Sequence, residues 1–129
     1  MEKLILILLP DKLGVCRLDS GTPLPGWLCA GSSFCSFTVT AEETSIVCRQ
    51  DLIPAEYPSE KNFRALKVKG PLDFSLTGIL SSLLAPLAAG GIPVFAVSTY
   101  DTDYILVKEE NLEKAVGALS AVAALTRQN

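Results

Sequence analysis

Gly70-Pro71-Leu72-Asp73-Phe74-Ser75-Leu76-Thr77-Gly78-Ile79-Leu80, followed by Leu87-Ala88-Ala89-Gly90-Gly91-Ile92-Pro93-Val94, sets the order of elements in the second half of this chain. Ahead of it, residues 63–69 largely alternate apolar and polar side chains, which predicts a half-buried strand that Gly70-Pro71 ends. A helix is expected from near Ser75, with Asp73 or Ser75 as its N-cap. Leu76, Ile79, Leu80, Leu83, Leu84 and Leu87 recur at helical spacing and make one continuous apolar face. Gly90-Gly91 stops the helix. Residues 92–97 are nearly all apolar, so they are expected to be a strand buried on both faces. Residues 99–102 form a turn, and residues 103–107 form a third strand, antiparallel to the second because the connection is short. A last helix is expected from Glu110 or Asn111, with Leu112, Val116, Leu119, Val122 and Leu125 as its buried face.

The first half repeats part of this plan. Residues 4–9 read as a buried strand, too short for a signal peptide or a membrane span and closed by Pro10-Asp11. Residues 15–18 form a short strand, and Gly26-Trp27-Leu28 form one turn within a Gly- and Pro-rich stretch. Residues 34–40 and 44–48 pair as a hairpin across Ala41-Glu42-Glu43. Moved by 59 positions, this hairpin falls on the second one: Thr40 on Thr99, Glu42 on Asp101, Ile46 on Ile105, Arg49 on Lys108. That register of strand, acidic turn, strand and basic residue indicates two structural repeats. Residues 52–62 read as the linker between them.

Composition narrows the function. The 129 residues are 49% apolar, enough for a buried core, and the formal net charge is −3. A mildly acidic chain without clustered Lys or Arg has no electrostatic reason to seek nucleic acid or anionic lipid. The chain has no histidine, so Ser-His-Asp and Cys-His nucleophiles, His bases and His-ligated metals are all excluded. Cys16, Cys29, Cys35 and Cys48 contain no CxxC pair and read as reduced, packed thiols rather than disulfides or a zinc site. There is no P-loop and no GxGxxG, and no cofactor is expected. Without an export signal the cytoplasm is the default.

The long stretch quoted above, together with Ser98-Thr99-Tyr100-Asp101-Thr102-Asp103-Tyr104-Ile105-Leu106-Val107, resembles the ACT domain family. The later run is similar to its amino-acid-sensing branch, with the CASTOR-type arginine sensors and the regulatory part of aspartate kinases. The likeness covers residues 63–125 well and residues 1–52 loosely. It implies an α+β, ferredoxin-like βαββαβ fold: two tandem ACT-like units sharing an antiparallel sheet, with helices on one face. The expected division is an N-terminal unit at 1–60, whose first helix is reduced to a turn, and a C-terminal ACT domain at 61–129. The resemblance also implies a free amino acid bound at the seam between units, no catalysis, and side-by-side pairing of units.

An amino acid brings a carboxylate, which suits the free N–H groups of a helix N-terminus, and an ammonium, which wants a carboxylate partner. The candidate residues are therefore Asp73, Phe74, Ser75, Leu76, Thr77 and Gly78 in the loop, and Thr99, Tyr100, Asp101 and Asp103 in the turn. Each has a plainer reading: Asp73 and Ser75 as caps, Gly78 as a packing residue, Asp101 and Asp103 as turn residues, Tyr100 and Tyr104 as sheet packing. The acidic residues favour a basic ligand such as lysine or arginine. The first expectation is thus a cytoplasmic amino-acid sensor. The alternative is a ligand-independent interaction module that forms a homodimer or docks on a regulated protein.

Overall fold

A computed structural model of the chain describes residues 3–28, 31, 34–73 and 77–128. Along the chain these form β1 (Leu4–Leu8), β2 (Leu13–Asp19), β3 (Ser36–Val39), β4 (Glu43–Arg49), β5 (Ser59–Val68), α1 (Ile79–Ala89), β6 (Phe95–Ser98), β7 (Asp103–Lys108), α2 (Leu112–Leu119) and β8 (Ala123–Arg127), with 3-10 turns at Gln50–Leu52 and Glu109–Asn111. The architecture is α+β and ferredoxin-like. The chain forms two compact units, a composite one of residues 1–10 with 64–129 and an inserted one of residues 11–63.

In the composite unit β1 runs antiparallel to β5, with Leu6 opposite Val68 and Leu8 opposite Leu66. It runs parallel to β8, from Leu4 opposite Ala123 to Leu8 opposite Arg127. β7 pairs with β5 and β6. Leu6 and Leu8, Leu66 and Val68, and Ile105 and Val107 are alternate residues of their strands, so each pair points to one face of the sheet. There they join Leu83 and Leu87 of α1 and Ala115 and Leu119 of α2 in one core. Both helices therefore cover the same face. The pairing of β1 with β8 makes this unit's sheet mixed rather than wholly antiparallel.

Three expectations change here. The final helix ends at Leu119, so Val122 and Leu125 are not on it. The Val122 N–H donates to the Leu119 carbonyl, the Leu4 N–H donates to the Val122 carbonyl, and β8 then follows β1. The Ala-rich segment from Ala121 to Ala124 has strong helix propensity, but pairing with β1 overrides it. The first helix starts at Ile79 rather than near Ser75, because Gly78 is the N-cap in the left-handed region at φ 80°; Asp73 is not the cap. Finally, β6 is short and half-exposed, paired only with β7 among the described residues. Pro93 has no N–H for a ladder, and Ile92 is used in the helix stop, where its N–H donates to the Leu87 carbonyl while Gly91 takes φ 71°. That is the Schellman arrangement expected of Gly at this place.

In the inserted unit β2 pairs antiparallel with β4 and with the start of β5, and β3 pairs with β4. Cys16, Leu18, Leu28, Ile46, Cys48 and Ile53 form its core. Trp27 packs against it, with its ring centroid 6.1 Å from that of Tyr57. Among the described residues this unit has no α-helix, and a turn at 26–28 stands where the first helix would be. The linker expected at 52–62 ends at residue 58, since Ser59–Asn62 belong to β5.

The compact units have other boundaries than the division at residue 60, because Leu6 and Leu8 of β1 share their core with the helices of the second half. The repeat is nevertheless visible in backbone register. Phe37 faces Ile46 in one hairpin and Ala96 faces Ile105 in the other, an offset of 59 at both residues. The Thr40 N–H donates to the Glu43 carbonyl at 2.9 Å, and the Thr99 N–H donates to the Thr102 carbonyl at 2.8 Å.

Candidate ligand site

The strand β5 delivers the chain into the loop that precedes α1, and the hairpin β6–β7 presents its turn beside it. Two hydrogen bonds join them. The Leu72 N–H donates to the Asp101 carbonyl at 2.7 Å. The Thr102 hydroxyl, 4% exposed, donates to the Val68 carbonyl at 2.6 Å. Gly70 makes the approach possible: a Cβ there would stand 3.2 Å from the Asp101 carbonyl oxygen and 3.3 Å from the Thr102 Cβ. The turn is held from within by the Thr99 hydroxyl, which donates to the Thr102 carbonyl at 3.1 Å, and by the Ser98 hydroxyl, which donates to Asp103 Oδ1 at 2.6 Å.

Between loop and turn lies a cavity of about 180 Å³. Asp73, Thr99, Tyr100, Asp101 and Asp103, all singled out from the sequence, line it. So do Leu72, Ile79, Ser98 and Thr102, which the sequence reading passed over. Ser98 and Thr102 were legible as the polar neighbours of the turn; Ile79 was counted only as helix core. Thr77 and Gly78 are exposed and outside this lining. Phe74, Ser75 and Leu76 lie outside the described residues. Tyr100 is 85% exposed, so it does not pack on the sheet as its plainer reading held. Tyr104 is half-buried, with Lys67 Nζ 5.9 Å from its ring centroid.

Among the described residues, three carboxylates and no basic side chain line the cavity. Such a lining favours a cationic group. No set of three or more acidic or thiol ligands among the described residues could hold a metal ion. At the cavity wall Ile79 opens α1, and its N-cap, Gly78, has no side chain to cap the N–H groups of the first turn. That end of the helix favours an anion. The cavity thus offers both a negative lining and a donor-rich helix start. The three described cysteines are not poised for reaction: Cys16 and Cys48 are buried, burial pushes the Cys16 thiol up, and the half-buried Cys35 donates to the Leu28 carbonyl at 3.1 Å. No helix of the described residues is long and apolar enough to cross a membrane.

Residues 58–121 match the family profile described as the ACT domain, and residues 11–56 match a second profile described as an N-terminal domain. The chain is 32% identical over 98 residues to the bovine protein named cytosolic arginine sensor for mTORC1 subunit 1, an alignment covering 67% of this chain and 30% of that protein. The crystal structure of protein Atu0741 from Agrobacterium tumefaciens is similar over 100% of this chain and 96% of its own, with a TM-score of 0.91 and 35% identity. The regulatory subunit of aspartate kinase from Thermus thermophilus has the same fold, with a TM-score of 0.66 and 12% identity over 91% of this chain and 95% of that one.

Proposed function

The chain belongs to the ACT domain family, and on that premise we propose that it is a non-catalytic, cytoplasmic regulatory module that binds a free amino acid with a basic side chain. The observation that carries this reading is the cavity lined by Asp73, Asp101 and Asp103 at the start of α1. The ligand carboxylate meets the N–H groups of the first turn of α1, and its cationic groups meet the aspartates. Kinship with a protein named for arginine sensing supports the choice of a basic ligand. Binding tightens the contact between loop and turn and so biases the packing of the module.

Thermal unfolding of the chain against the twenty amino acids tests this. A ligand at one hundred times its Kd adds about 2.7 kcal/mol. Lysine or arginine is expected to raise the midpoint and alanine to leave it unchanged. No shift with any amino acid overturns the reading.

A second reading, a module that assembles without ligand, is favoured by β6, whose Ala96 and Ser98 are exposed on a strand paired only with β7 among the described residues. Such an edge can take a strand of a second copy or of a regulated protein. Sedimentation with and without the amino acids separates the two, because this module self-associates equally in both conditions.

A further inference from the structure

We infer that the composite unit carries a second binding site, beneath α2, for a small monocarboxylate with an apolar tail. A cavity of about 210 Å³ is lined by residues of α2 and of the strands β1, β5 and β8. Leu6, Leu66, Leu119 and Ala123 form its buried wall. Val116 and Leu125, half-buried, continue it, and the exposed Lys3 and Ser120 supply its polar part. An aliphatic cavity of about 150 Å³ stays dry and takes a benzene-sized guest. The space here, at about 210 Å³, is larger and holds a short hydrocarbon chain.

Charge decides the head group. Among the described residues of the lining Lys3 is the one that is ionisable, and none is Asp or Glu. A free amino acid would bring an ammonium beside the Lys3 ammonium, and like charges repel. A plain carboxylate meets Lys3 Nζ instead. It can also meet the Ser120 hydroxyl, which donates to the Gly117 carbonyl at 2.8 Å and can rotate outward. This lining is the electrostatic opposite of the acidic cavity and shares no residue with it. The inference therefore stands apart from the amino-acid reading.

The test is methyl NMR of the whole chain titrated separately with hexanoate and hexylammonium. Hexanoate is expected to shift the Leu6, Leu66, Val116 and Leu119 methyls to saturation while Leu72 and Ile79 stay in place. Hexylammonium, meeting Lys3 rather than a carboxylate, is expected to bind about fivefold more weakly. Lys3→Glu, at an exposed position, is expected to reverse that order with an unchanged circular dichroism spectrum. Methyls that do not respond to about 10 mM hexanoate would overturn the inference, as would an unchanged order of the two probes in Lys3→Glu.

Discussion

The main-chain N–H of Leu72 donates to the carbonyl oxygen of Asp101 across 2.7 Å, tying the loop before α1 to the tip of the β6–β7 hairpin. Twenty-nine positions apart in the sequence, the two residues line one cavity.

Gly70→Val places a side chain against the Asp101 carbonyl and the Thr102 Cβ, both within 3.3 Å of a Cβ. Overpacking of this kind costs about 1–3 kcal/mol. Urea denaturation is expected to show that loss, and the thermal shift with a basic amino acid should shrink with it. Thr102→Val removes the buried donor to Val68 and leaves that carbonyl without it. A loss of about 1–2 kcal/mol is expected in the same assay.

The double variant Asp101→Asn, Asp103→Asn removes two of the three carboxylates while an amide oxygen can still accept from Ser98. Hydrogen bonds to charged groups are worth about 1.5–3 kcal/mol, so calorimetry should find a basic ligand bound at least about tenfold more weakly. Equal affinity for lysine or arginine in the two proteins would remove the aspartates from the proposed role.

Gly78 holds φ 80° as the N-cap of α1. In Gly78→Ala the left-handed conformation costs about 1–2 kcal/mol. Chemical denaturation is the measurement, and an unchanged midpoint would mean that the residue is free to leave that conformation.

Ala124→Val discriminates between strand and helix at the C-terminus. Ala124 is an exposed residue of β8, opposite Ile5. A β-branched residue is favourable in a strand and unfavourable in a helix, within about 1 kcal/mol either way. Thermal unfolding is expected to show no loss of stability.

Burial raises the Cys16 thiol above its ordinary value of 9.0. The folded state then holds this proton more tightly than the unfolded state. Its contribution to stability is complete below pH 9.0 and is lost as pH rises through the raised value. Denaturation from pH 8 to pH 10, compared with Cys16→Val, is expected to show a steeper fall for the native chain (about 1.4 kcal/mol for each pH unit at most). Identical slopes would refute the assignment.

Much of the composite unit was legible because its signals are local. The apolar spacing of α1 put Leu83 and Leu87 in the core, and alternation along β5 put Leu66 and Val68 there with them. The candidate loop and turn were legible from Asp73 and from Asp101 and Asp103, whose types and positions are turn signals. Thr77 and Gly78 were included because they start a helix in sequence, but the cavity wall begins with Ile79, one residue past the αL bend.

From the sequence alone came the identity and register of the hairpins, down to the 59-residue offset, because a strand's faces and a turn's hydrogen bonds depend on neighbouring residues. The tertiary structure alone decided that Ala123–Arg127 is a strand, that β1 shares a core with the second half, and that Asp73 lines the same cavity as Asp101 and Asp103. These depend on backbone groups that pair over long sequence distances. Side-chain periodicity carries no record of which remote N–H and carbonyl ladder a segment will complete.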